Sequence, residues 1–106
     1  MPETPNMNYI NELSAGSEEF KQKIITIMKK EFPEEKKEFL TNYNNQVFLK
    51  TAENVHKLKH KIGMLGLENG YRVAIDFEDE LKQHNSQLFQ EFMLILNSIE
   101  NFLKTI

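Results

Sequence analysis

The sequence contains no cysteine and no tryptophan, and its 106 residues include only three prolines and four glycines. Without cysteine there is no disulfide framework, no thiolate nucleophile and no thiolate metal site. No apolar run approaches the roughly 20 residues needed to cross a bilayer, and residues 1–9 lack the apolar core of a signal peptide. A cytoplasmic location, with no membrane association, is therefore the default expectation. Positive charge is also in short supply: the formal net charge is -3, which argues against a dedicated nucleic-acid binder. Finally, no Gly-rich phosphate loop or kinase signature is present, so no ATP site is expected. What remains, 40% apolar and 27% charged residues, is the composition of an ordinary globular domain, and the length suits one hydrophobic core.

Residues 1–7 hold two prolines and no apolar periodicity, and read as a loose terminus. A short helix is predicted at 8–13. After the Ser14-Ala-Gly-Ser17 break, Ser17 is an N-cap with Glu18 and Glu19 well placed in the first turn. Phe20, Ile24, Ile27, Met28, Phe32, Phe39 and Tyr43 then recur mostly at three- and four-residue steps, as one stripe of an amphipathic helix. Pro33 interrupts it, but the apolar phase resumes at Phe39, which favours a single bent helix. Asn44-Asn45 marks a turn. The next stripe runs Phe48, Ala52, Val55, Leu58, Ile62, Leu65 and stops at Gly66. A fourth helix, about 68–83, places Tyr71, Ala74, Phe77 or Glu78, and Leu81 on successive turns, although Asn69-Gly70 weakens its start. Leu88, Phe89, Phe92, Leu96, Ile99, Leu103 and Ile106 form the last stripe. No segment alternates as a strand would. The expected fold is all-α: an up-down-up-down four-helix bundle with a short extra N-terminal helix, forming a single domain over 8–106.

The third helix carries the chemistry-bearing residues. Lys50, Lys57, Lys59 and Lys61 face a single acid, Glu53, between Gln46 and Gly66, so a basic helix sits in an acidic chain and suits an anionic partner or phosphate. A helical period turns Val55, Leu58, Ile62 and Leu65 inward. His56, Lys59, His60 and Gly63 then share a neighbouring, more exposed face. Ala52 lies one turn before His56 and Gly63 two turns after it, leaving a strip low in bulk that permits close approach by another protein.

His56-Lys57-Leu58-Lys59, followed by Gly63 and Gly66, resembles the H-x-[LI]-K-G-x-x-x-x-x-G signature of histidine-containing phosphotransfer domains. The resemblance spans nearly the whole chain and includes Phe77-Glu78, where that family usually has Leu-Glu or a similar pair. It implies a four-helix bundle with a short N-terminal helix, and a phosphocarrier rather than an enzyme. Such a protein relays a phosphoryl group between receiver-domain aspartates through a phosphohistidine. By this resemblance His56 is the phosphoacceptor, and a neutral imidazole, with an unperturbed pKa of about 6.5, is a competent nucleophile. Lys59 matches the lysine that offsets charge on the phosphoryl oxygens, and Glu78 the side chain that orients the imidazole. Ala52, Lys57, His60 and Gly63 fall on the receiver-docking face, and Gly66 ends the helix. The implied partners are receiver domains of response regulators or hybrid histidine kinases. No cofactor is implied for the chain, Mg2+ belonging to the receiver's acidic pocket, and a monomer is expected. Two positions depart from the family: His60 stands where it keeps a glycine, and Gly70 where it often has leucine.

Two rival readings compete with this one. Histidines at i and i+4 can chelate zinc. However, Lys57 occupies the position of a zinc protease's general base, a third ligand would have to come from His84 or a distant carboxylate, and the flanking ammonium groups oppose a dication; no metal site is expected. The second rival is a non-catalytic helical interaction module that docks an acidic partner through the basic helix. It explains the lysines but not the ordered H-x-L-K, the two glycines and Phe77-Glu78 together.

Overall fold

A computed structural model describes residues 3–106; Met1 and Pro2 lie outside the described residues. Five helices account for most of them: α1 (Asn8–Ser14), α2 (Glu18–Asn44), α3 (Phe48–Met64), α4 (Glu68–Lys82) and α5 (Phe89–Leu103), with no strand among the described residues. The expected all-helical class and the number and order of the helices are thus observed. α3 packs most extensively against α4 and then against α2, α5 lies against α4 and α2, and α1 rests on α2.

Ser17 caps α2 as its side-chain type predicts, Oγ accepting from the Phe20 amide at 3.2 Å, with Glu18 and Glu19 in the positive first turn. The helix runs unbroken through Pro33. A proline inside a helix costs about 3 kcal/mol, and burial of Met28, Phe32 and Phe39 on either side opposes that cost. The stripe drawn through the first turns of α2 needs correction. Phe20 and Ile27 are exposed, and Ile25 is buried in their stead. Ile27 turns away from the face that buries Ile25, Met28 and Phe32, and Phe20 stands in the first turn, ahead of the first buried residue of α2.

Phe39 sits at the centre of the core, fully buried. Its ring is 5.2 Å from Phe92, 6.1 Å from Phe89 and 6.2 Å from Phe77, so side chains from α2, α4 and α5 meet there. Val55, Leu58 and Ile62 add the inward face of α3.

α2, α3 and α4 end in the same way. A left-handed residue follows each C-cap: Gln46 (φ 58°), Gly66 (φ 78°) and His84 (φ 60°). At the end of α3 the Gly66 amide donates to the Gly63 carbonyl and the Leu67 amide to the Ile62 carbonyl, which closes a Schellman motif. Gly66 thus ends the helix as expected.

Residues 3–7, read as a loose terminus, have no regular secondary structure, yet they are tied to the α3–α4 corner. The Asn6 amide donates to the Leu65 carbonyl at 2.9 Å, and both carboxylate oxygens of Glu3 accept from the first turn of α4, from Asn69 at 2.9 Å and Gly70 at 3.0 Å. No side chain of α4's own N-cap residue does this. Glu3 therefore supplies the cap from outside, placing a negative charge on the positive end of the helix. Gly70, the weak residue in that turn, is buried, and a Cβ there would meet Ile62 and Leu67 at 3.2 Å. Close packing explains why no side chain stands there.

Candidate functional site

The α3–α4 pairing brings the predicted residues together. His56 lies opposite Glu78, and Gly63 lies opposite Tyr71. His56 Nδ1 is 3.1 Å from Glu78 Oε1, the imidazole is half exposed and the carboxylate is largely buried. Lys59 Nζ reaches both groups, at 3.4 Å from Glu78 Oε1 and 3.3 Å from His56 Nδ1.

The Glu78 contact favours the tautomer with the proton on Nδ1; with the proton on Nε2 instead, Nδ1 would accept from Lys59 at 3.3 Å. A carboxylate only accepts hydrogen bonds, and an ammonium only donates them. If Nδ1 carried a lone pair, that pair would face the carboxylate oxygen at 3.1 Å and repel it. With Nδ1 protonated, His56 donates to Glu78, and Lys59 donates to the same oxygen. Nε2 is then the lone-pair nitrogen of a ring that is 52% exposed in its side chain.

Glu78 is the hub. Lys82, one turn further along α4, donates to its second oxygen at 3.3 Å. Burial by itself would push the Glu78 carboxyl up, but hydrogen bonds from His56 and Lys82 and the charge of Lys59 hold it below its ordinary value of 4.5. The carboxylate form is secured by the same groups it positions.

The role of Gly63 is set within the chain as well as at its surface. A Cβ there would meet the Tyr71 ring at 3.2 Å. Its absence lets Tyr71 lie close to α3, and the Lys59 ammonium sits 5.8 Å from the centre of that ring, in reach of a cation–π contact. Lys59 is thus held between an aromatic face and a carboxylate, with 13% of its side chain exposed.

The other predicted residues divide. His60 is exposed, its ring 5.2 Å from that of His56 and nearly perpendicular to it. Lys57 is exposed and lines a shallow pocket with Glu38, Asn42 and Glu53. Ala52 was expected both in the core stripe and on the docking face; it is 2% exposed and belongs to the core. The basic strip is also interrupted. Lys61 turns to α2, pairing with Glu31 at 3.0 Å and Glu35 at 3.1 Å, and Lys59 is engaged by Glu78, which leaves Lys50 and Lys57 as its outward charges.

Sequence reasoning missed Tyr71, Lys82 and Glu3. Lys82 was legible, since Glu78 and Lys82 stand at i and i+4 on one helix. Glu3 carried no local signal. Among the described residues, no group of three or more histidines, aspartates or glutamates is placed to hold a metal ion. A cavity of about 570 Å³ between α2 and α5 is lined by residues such as Phe32, Pro33 and Leu103, none from α3 or α4, so the imidazole stands on an open face outside it. Among the described residues, no helix is long and apolar enough to cross a membrane. Comparison with protein-family models, with curated proteins and with solved structures finds no match to this chain.

Proposed function

We propose that this chain is a phosphorelay intermediate of the histidine-containing phosphotransfer type, an up-down-up-down four-helix bundle preceded by a short helix, with His56 as the phosphoacceptor. The observation that carries this reading is the His56–Glu78 pair with Lys59 on the same oxygen: an exposed imidazole paired with a largely buried carboxylate, with an ammonium beside it. An orienting carboxylate is what a nucleophilic imidazole requires if its distal nitrogen is to keep the lone pair.

In the proposed step, the Nε2 lone pair attacks the phosphorus of a receiver's aspartyl phosphate in line. The N–P bond forms as the P–O bond to the aspartyl carboxyl breaks, and the receiver's carboxylate leaves with the electron pair. Nδ1 keeps its proton, which Glu78 stabilises as positive charge develops on the ring. Lys59 swings its ammonium toward the phosphoryl oxygens and offsets their charge. The reverse step passes the group to a second receiver. No ATP chemistry and no cofactor of the chain's own enter this scheme, Mg2+ belonging to the receiver. An exposed site outside a cavity suits a donor that is itself a protein surface. The competing interaction-module reading rests on the basic strip, which keeps Lys50 and Lys57 as outward charges while Lys61 pairs with α2.

The test is incubation with phosphorylated receiver domains. Wild type gains acid-labile label, His56→Gln gains none, and Lys59→Ala gains it roughly tenfold to a hundredfold more slowly with the fold intact. Label that persists in His56→Gln and vanishes in His60→Gln would move the acceptor to His60. A wild type that stays unlabelled across a panel of receivers charged by acetyl phosphate would sink the reading.

A further inference from the structure

His60 is the residue that the phosphocarrier reading leaves without a role. Its ring centre is 5.2 Å from that of His56, one helical turn away, and no hydrogen bond among the described residues ties it down. We propose that His56 and His60 form a two-imidazole chelate for a borderline divalent transition ion, Zn2+ or Cu2+, and that the ion and the phosphoryl group exclude one another at His56 Nε2. The competition rests on the phosphocarrier reading; the chelate does not.

The spacing fits. Zinc binds imidazole nitrogen at about 2.0–2.1 Å, which puts each ring centre about 3.2 Å from the ion, and a tetrahedral angle between two such rings separates their centres by about 5 Å. The rings stand at 88° to each other and both are exposed, so the imidazole of His60 has room to turn about its side-chain bonds toward an ion on His56 Nε2. The rest of the coordination shell would be water.

A second feature favours the same ion. Metal-bound histidines usually donate their other ring nitrogen to a carboxylate, which fixes the ring and raises its basicity. His56 already makes that bond, Nδ1 to Glu78 at 3.1 Å. The objection raised by the sequence, that flanking lysines would repel a dication, is reduced by where those lysines go. Lys59 is held by Glu78 and lies against Tyr71, Lys61 is held by Glu31 and Glu35 on α2, and Lys57 lines a pocket that it shares with Glu53 and Glu38. Imidazole donors select zinc and copper over magnesium and calcium, and copper should bind more tightly than zinc.

Exclusion follows from electron count. Nε2 has one lone pair, and a metal–nitrogen bond uses the pair that would form the N–P bond. By linkage, phosphorylation of His56 must weaken metal binding by the factor by which the metal suppresses phosphorylation.

The experiment titrates ZnCl2 into the metal-free full chain near neutral pH, read by calorimetry and by the imidazole 15N resonances. One ion per chain is expected, with both ring signals shifting. His56→Gln and His60→Gln should each weaken binding at least about tenfold, as should Glu78→Ala through loss of ring orientation, while His84→Gln leaves it unchanged. Circular dichroism confirms that each variant is folded. Undiminished affinity in folded His60→Gln, or no saturable binding by wild type up to about 1 mM zinc, would overturn the chelate. In a second arm, zinc added before a phosphorylated receiver should slow labelling of wild type and lose that effect in His60→Gln, each compared with its own metal-free rate. Chelation without slowing overturns the exclusion. A wild type that binds zinc but is unlabelled even without it overturns the phosphocarrier reading and leaves the chelate standing.

Discussion

Glu78 joins a stability role to a site role, and its ionisation makes both measurable. Its folded-state pKa lies below 4.5, so its contribution is fully present above the unfolded value and is lost as pH falls through the lowered one. Between these values the unfolded chain binds more protons, and stability must rise with pH. Urea midpoints measured from about pH 3 to pH 6 should fall more steeply toward acid in wild type than in Glu78→Gln, with the difference confined to the region below about 4.5. Parallel curves would mean that the ion pairs around Glu78 contribute nothing to stability. At this scale helical spacing put His56 and Lys59 on one face, and only the resemblance to phosphotransfer domains singled out Glu78, which lies beside them across the α3–α4 pairing. Tyr71 was hidden. Its role depends on a Cβ that Gly63 lacks, and a glycine's reason for being small becomes visible only when its neighbour is known.

At the scale of the element, the α3–α4 corner is held by two residues that sequence reading treats very differently. Gly66 announces itself, as a glycine after an apolar stripe. Glu3 does not, because its carboxylate caps a helix that starts 65 residues later, and no periodicity spans that gap. Gly66→Ala should destabilise the fold by more than about 1 kcal/mol. It forces a side chain into φ 78° and sets a Cβ 2.5 Å from the Asn6 amide group. Glu3→Ala should cost about 1 kcal/mol in the manner of a lost N-cap. In that variant hydrogen exchange should accelerate first at the Asn69 and Gly70 amides. If exchange there is unchanged, the cap is not formed in solution. The opposite case is Gln46, a non-glycine held at φ 58°. Gln46→Gly should raise stability by up to about 1 kcal/mol, read by thermal or urea unfolding, because the left-handed conformation no longer meets a Cβ.

For the molecule as a whole, one aromatic centre connects three helices. Phe39→Ala should cost about 3–5 kcal/mol, a large share of the stability of a domain this size, since its ring contacts α2, α4 and α5 at once. Global unfolding is the measurement, and a loss below about 1 kcal/mol would show that the core closes over the gap. The helical class, the number of helices and nearly every core position from Phe32 onward were legible, because apolar periodicity reports which face is covered. It could not report where coverage stops. Ile27 fits the spacing yet turns away from the face that buries Ile25, Met28 and Phe32, and Phe20 precedes the first buried residue of α2.

His56 meets Glu78, and Gly63 meets Tyr71, at positions that lie equally far in sequence on either side of Leu67. The three-residue corner between α3 and α4 therefore acts as a length gauge. One residue inserted within the first turn of α4, with that turn held in place, would slide the rest of the helix by about 1.5 Å and turn it by about 100°, carrying Glu78 off the imidazole and Tyr71 off Gly63 together. Helical register counted from that bend, more than any one side chain, keeps the histidine connected to its partners.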